Sequence, residues 1–157
     1  NFGIHGGEDA SSIGGNAKLD EFRAAMGICN LRHVDEYIEK RRKVVERYNE
    51  RLKNVPGIRV CECKKDVRNT YAYYPVYFDD KVFGKSRDKV FYDLEKMDIH
   101  ARRYFYPAIN ELSCYKELLA ERDTPIAHDV SMKILTLPLY EELAMEEVDL
   151  ICDIVLE

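Results

Sequence analysis

A chain of 157 residues with 46% hydrophobic and 34% charged side chains is long enough for one domain with a real core, and its composition is that of a soluble globular protein. Its formal charge of −5 argues against nucleic acid or an anionic membrane as a partner, since both reward clustered Lys and Arg. No apolar run approaches the roughly 20 residues that cross a bilayer, and the first residues lack a signal-peptide core, so a cytoplasmic protein is expected.

The opening stretch NFGIHGGEDASSIGGN holds five of the eight glycines and no apolar periodicity, which predicts loop without a core of its own. It carries no initiator Met, and we read the chain as part of a longer one. From Lys18 to about Asn54 the pattern is helical, bent around Asn30 to His33. The part from Phe22 to Leu31 is apolar on nearly all sides, as buried helices are, and Ala24, Ala25 and Gly27 permit close helix approach. In the second part Val34, Tyr37, Ile38, Val45, Tyr48 and Leu52 recur at spacings of three and four between charges, which predicts an amphipathic surface helix. VPGIRVCE reads as a turn and a strand. NTYAYYPVYFDD reads as a second strand, with Pro75 arguing for an edge or a bulge. Ser86 is placed to cap a helix running to Met97 with Val90, Phe91, Leu94 and Met97 inward, and IHARRYF reads as a third strand. Helices are expected near Leu112 to Leu119 and Ile126 to Lys133, ILTLPLY as an extended turn, and a final helix with Val148, Ile151, Cys152 and Val155 inward. The sum is a small α/β layer.

Five cysteines, an odd number, scatter through apolar or strand-like segments: Cys29, Cys61, Cys63, Cys114 and Cys152. Reduced core thiols fit that pattern better than a disulfide framework. Cys61 and Cys63 share one face of a strand, but no second Cys/His pair lies near them in sequence to complete a metal site.

Two places invite chemistry. Gly14 and Gly15 free the backbone before the first helix, Asn16 offers amide donors there, and Lys18 adds a positive charge, so a phosphate is the natural guest. The alternative is that Asn16 caps the helix and Lys18 is solvated. The second place is ARRYFYP, residues 101–107, where Arg102 and Arg103 supply bidentate phosphate donors beside flat rings. On a strand, Arg102, Tyr104 and Tyr106 face one way and Arg103 and Phe105 the other, so one set lines a site while the other packs. The alternative there is an edge strand whose arginines snorkel over aromatics. No histidine spacing supports a catalytic triad or dyad.

Read in order, NFGI, GGNAKLDEFRAAMG, RRKVVERYNERL, ARRYFYP and ILTLPLYEELAMEEVDLICDIV resemble the C-terminal part of the DegT/DnrJ/EryC1/StrS family of sugar aminotransferases. The resemblance covers nearly the whole chain. It implies an α+β small domain like the C-terminal domain of fold-type I aminotransferases: a long N-terminal helix pair and a small three-stranded, mainly antiparallel sheet with flanking helices. It further implies that residues 1–17 are loop left from a cofactor-binding domain and that residues 18–157 form the small domain. The implied parent is a pyridoxal-phosphate enzyme, a homodimer, that aminates a keto sugar carried on a nucleotide diphosphate, with glutamate the usual amino donor. Asn16 would reach the cofactor phosphate of the other subunit with Lys18 nearby. Arg102, Arg103, Tyr104 and Tyr106 would shape the pocket for the sugar and its diphosphate.

The family's Schiff-base lysine lies upstream of the NFGI match, and nothing here replaces it, so this chain by itself is expected to be inert. Two other readings keep the fold: a sugar dehydratase-like member in which that lysine is a histidine, and a binding or regulatory module without chemistry.

Overall fold

A computed structural model of the chain describes residues 4–5, 9–10, 19–62, 64, 66–112, 115, 117 and 123–157. The chain divides into two compact units, residues 1–35 and 36–157. In the first, within the stretch read as loop, β1 (Ile4–His5) and β2 (Asp9–Ala10) pair antiparallel. The helix α1 (Glu21–Leu31) follows, and its N-cap is Asp20, whose carboxylate accepts from the Arg23 backbone N–H at 2.9 Å. Asn16 is therefore not the cap of this helix, and both Asn16 and Lys18 lie outside the described residues. The expectation that α1 is buried is not met by these residues. None of its side chains is buried, and Phe22 is 88% exposed.

The second unit takes up the amphipathic helix α2 (Val34–Leu52) and an antiparallel sheet of β3 (Ile58–Val60), β4 (Tyr74–Phe78) and β5 (Ile134–Leu137), in the order β3-β4-β5. A short α3 (Asp80–Phe83) precedes α4 (Arg87–Lys96), whose N-cap is Ser86 as the sequence predicts. The helices α5 (Pro125–Lys133) and α6 (Met145–Leu156) complete the element list, with a 3₁₀ turn at Ile109–Glu111. The helix expected from Leu112 to Leu119 falls mostly outside the described residues.

Alternation sorts the sheet into two faces. Tyr74, Val76 and Phe78 of β4 join Leu135 and Leu137 of β5 in a core filled by Val44, Tyr48 and Leu52 of α2, Val90 and Leu94 of α4, and Val148, Ile151, Cys152 and Val155 of α6. The other face carries Pro75, Tyr77, Ile134 and Thr136. There Tyr77 donates its hydroxyl to Asp129 of α5 at 3.0 Å. Phe91 is half-buried and Met97 is exposed, since the helix ends at Lys96 and Met97 is its C-cap.

Two expectations for strands are corrected. The stretch IHARRYF contributes a single bridge, Arg102 to Thr136, whereas ILTL, expected within a turn, is the true edge strand β5. Pro75 lies on the central strand, and the ladder explains how. The N–H and C=O of Thr136 both engage Arg102, at 2.7 and 2.9 Å, so Pro75 faces Thr136 across a non-hydrogen-bonded position. The N–H that proline lacks points toward β3, and that ladder has already ended at the Val60–Val76 pair. The turn before β3 needs Gly57, whose φ is +81° and where an added Cβ would lie 2.4 Å from the Phe83 backbone nitrogen.

Polar contacts fix the layers. Tyr48 stacks on Tyr74 with ring centroids 4.7 Å apart and donates its hydroxyl to the Pro138 carbonyl at 3.0 Å. Arg47 grips Asp149 through two bonds of 2.9 Å, and Arg51 adds a third at 2.9 Å, joining α2 to α6.

Tyr48→Phe removes the donor and leaves the Pro138 carbonyl short of a partner. A loss of about 1–2 kcal/mol is expected, read as a lower urea midpoint at unchanged slope. The hydrogen bond from Arg47, the largest cause, holds the Asp149 carboxyl below the ordinary aspartate value, with Arg51 adding to it and desolvation opposing. A depressed carboxyl contributes stability above its unfolded value and loses it as pH falls through its folded value. Asp149→Asn should therefore flatten the loss of stability below about pH 4, measured by urea titration at stepped pH.

Candidate functional site

The bridge to Thr136 puts Arg102 on the outer edge of β5, and there the strand ends. The Tyr104 N–H turns back to the Arg102 carbonyl at 3.0 Å and the Tyr106 N–H to the Arg103 carbonyl at 2.8 Å. A turn does not keep the alternation of a strand, so the four candidate side chains separate into two clusters.

Arg102 and Tyr104 come together. The Arg102 guanidinium donates to the Tyr104 hydroxyl at 2.5 Å, and the Tyr104 ring meets Tyr73 edge to face at 5.6 Å. With His100, Thr136 and Tyr140 they line a cleft of about 290 Å³. Burial, the largest cause, and then the nearby carboxylates of Glu147 and Glu142 push the Tyr140 hydroxyl above its ordinary value, so it stays a neutral donor. The wall thus offers one exposed cation, three phenols and their flat rings, a set suited to a phosphate beside a sugar or base. The volume is at the low end for a small-molecule pocket, enough for part of an extended ligand.

Arg103 and Tyr106 lie elsewhere. Arg103 stacks over Phe91 at 4.5 Å, approaches Tyr106 at 5.7 Å and reaches Asp88 at 3.5 Å. Arg87 lies 5.1 Å from the Tyr106 ring. Phe105 stacks on Tyr104 at 4.9 Å and is 73% exposed.

On the far side of Tyr104 a larger cavity of about 460 Å³ is walled by Phe105, Pro107, Ile109, Val130 and Ile134. Its polar residues, Asn110, Thr124 and Ser131 besides Tyr104, are uncharged, so the smaller cleft is the better anion site. Glu111 anchors the loop beneath that cavity. It accepts from the Ala108 N–H at 3.0 Å and from His128 at 2.5 Å, and these two partners, His128 first, lower its carboxyl below the usual range.

The sequence reading did not single out Tyr73, Thr136 or Tyr140. Thr136 and Tyr140 belong to ILTLPLY, where a strand followed by a turn was the available clue. Among the described residues no group of His, Cys, Asp and Glu is placed to hold a metal. Cys61 is exposed and Cys63 lies outside the described residues. No helix among the described residues is long and apolar enough to cross a membrane.

Residues 1–156 match the model of the DegT/DnrJ/EryC1/StrS aminotransferase family. The chain is 36% identical over 148 residues to a dTDP-4-amino-4,6-dideoxy-D-glucose transaminase of Escherichia coli, covering 93% of this chain and 40% of that protein. It is 31% identical over 157 residues to the Shigella dysenteriae protein of the same name, covering 100% of this chain and 42% of the relative. The chain thus spans about 40% of the length of these curated relatives. Among solved structures, DesI in the presence of its TDP-sugar product superposes with a TM-score of 0.83 at 29% identity, over 90% of this chain and 36% of that one. Helicobacter pylori PseC, an aminotransferase involved in the biosynthesis of pseudoaminic acid, shares the fold with a TM-score of 0.80 at 23% identity, over 99% of this chain and 42% of that one.

Proposed function

The chain belongs to the DegT/DnrJ/EryC1/StrS aminotransferase family, and we propose that it is the C-terminal part of a pyridoxal-phosphate enzyme that aminates a keto sugar on a nucleotide diphosphate. The observation that carries this reading is the cleft where Arg102 and Tyr104 meet Tyr73, Thr136 and Tyr140. In a chain 36% identical to a transaminase acting on a dTDP-sugar, that cleft has the donors and rings a nucleotide sugar needs. Thymidine is accordingly the first nucleotide to test.

The described residues do not by themselves make a seat for the cofactor. Among them no lysine is buried, and Lys40, Lys53, Lys89, Lys96 and Lys133 each pair with a carboxylate. No chemical step is therefore assigned to this chain's own side chains. Held by a lysine of an upstream domain, pyridoxal phosphate would supply the carbonyl through which an amino group passes from glutamate to the keto sugar. Asn16 and Lys18 would hold the phosphate of that cofactor across a homodimer interface, residues 1–17, which include the β1–β2 pair, being carried over from the upstream domain and residues 18–157 forming the small domain. Arg102 and Tyr104 would bind and orient the sugar diphosphate, with Arg103 and Tyr106 shaping the next part of the pocket. Bare apolar residues on α1, Phe22, Met26 and Ile28 among them, suit a surface that a second copy covers. The enzyme would work in the cytoplasm, with no nucleic acid or membrane as partner.

Borohydride reduction of the parent protein with pyridoxal phosphate should leave a pyridoxyl-lysine upstream of Asn1 and no label on residues 1–157. The absence of any stable adduct on the parent points instead to a dehydratase-like or non-catalytic member. In that parent, Arg102→Ala should weaken dTDP binding about tenfold or more, the value of one charge-assisted hydrogen bond, by calorimetric titration. Phe22→Asp should leave the chain folded and shift the parent from dimer to monomer in light scattering; a dimer that survives it removes α1 from the interface.

A further inference from the structure

Arg87 is the first residue of α4 and the largest fully buried side chain among the described residues, 2% exposed. The position is unfavourable on two counts. A guanidinium there gives up its hydration, and it stands at a helix N-terminus, where the peptide dipoles favour anions. Burial accordingly pulls its pKa below the ordinary value, with Asp88 opposing. Its bonds offset this only in part. Nη1 donates to the carbonyls of Ser131 at 3.1 Å and Ile134 at 3.0 Å. Nε lies 2.7 Å from Asp88 Oδ1 in an ion pair without hydrogen-bond alignment, and among the described residues Nε and Nη2 have no acceptor. A methionine would fill similar volume without these costs.

What the guanidinium holds together accounts for its presence. Ser131 and Ile134 stand where α5 passes into β5 with no intervening loop, and a helix end leaves such carbonyls without intrahelical partners. Toward the other side Arg87 lies against the Tyr106 ring, and it shares Asp88 with Arg103. Two residues along β5 from Ile134, Thr136 holds Arg102 through the backbone. The segment from Arg102 to Tyr106 is thus tied to β5 at both ends, at Arg102 through main-chain bonds and at Tyr106 through Arg87.

We propose that Arg87 is a positioning residue for the segment Arg102–Tyr106: tied to the α5–β5 junction and set against Asp88 and Tyr106, it fixes where Arg103 and Tyr106 stand toward a bound nucleotide sugar. The assignment rests on the reading of that segment as substrate-facing. Arg87 touches no substrate itself.

The test is calorimetric titration of dTDP, with UDP and GDP alongside, into the full-length dimeric protein carrying Arg87→Met, Arg87→Lys or Arg102→Ala. Cys152→Ala serves as a control that opens a cavity in the core at α6, at a residue that does not belong to the segment. Arg87→Met should weaken nucleotide binding at least tenfold, with Arg87→Lys recovering part of the loss. Cys152→Ala should bind as the parent does even where its melting temperature falls as far. If Arg102→Ala weakens binding and both Arg87 variants bind as the parent does, the positioning role is wrong and the substrate-facing reading stands. If Cys152→Ala loses affinity in step with its stability, Arg87 acts only on the fold and the role is again wrong. If Arg102→Ala changes nothing, or the parent binds none of the three nucleotides, both readings fall together.

Discussion

A tyrosine hydroxyl shut away from water must find an acceptor inside the fold, and that of Tyr48 finds the Pro138 carbonyl. Its ring stacks on Tyr74, whose own hydroxyl donates to Asn49 at 2.9 Å. One side chain thus joins α2, the central strand and the turn that follows β5. Burial, the largest cause, raises the Tyr48 pKa well above the ordinary phenol value, which keeps the hydroxyl a protonated donor. The turn it holds carries Pro138, Leu139 and Tyr140, one wall of the candidate cleft. The cleft lies on the outer side of the sheet, yet its wall is set from the core side.

Charge is used in two different ways around this frame. Arg47, Arg51, Asp149 and Asp153 form a partly exposed lattice between α2 and α6, where solvent screens each pair and what they contribute is chiefly orientation. Arg87 is removed from solvent, and leaving a guanidinium half-satisfied inside a protein is costly enough that its retention needs a reason in what it holds. Its neighbours Asp88, Phe91, Arg103 and Tyr106 gather where α4 meets the segment after the bridge.

The parts legible in the sequence were those governed by local rules. Spacings of three and four gave α2, α4 and α6, and Ser86 capped its helix because a short hydroxyl three residues before a free N–H does so in any context. The antiparallel three-stranded sheet came with the family resemblance and not from local rules, and two of its details were not legible. Whether IHARRYF or ILTL takes the edge depends on which backbone faces β4, a long-range fact that period-two alternation cannot supply. Pro75 was read as a sign of an edge or a bulge because a missing donor usually needs one; here the neighbouring ladder simply stops one residue short. In the same way Arg102, Arg103, Tyr104 and Tyr106 were legible as a set of residue types, while their division into two clusters follows from the turn at Arg102. Arg87 carried no sequence signal, since an arginine opening a helix reads as solvated until its burial is known.

That division bears on what the cleft can do alone. A diphosphate carries more charge than one exposed guanidinium at Arg102 can match, and the adjacent Arg103 is engaged by Asp88 and the Phe91 face. At 3.5 Å the Arg103–Asp88 contact is a loose one, which an incoming phosphate can displace more readily than the tight backbone bonds that hold Arg102. On the proposed reading the described residues therefore make half of a binding site. A rigid arm at Arg102 and Tyr104 fixes direction, a looser arm at Arg103 and Tyr106 is set against Arg87, and the remaining donors come from outside the described residues. On that same reading a site so divided would bind its ligand fully only with the other contributors in place, and substrate binding would then depend on assembly.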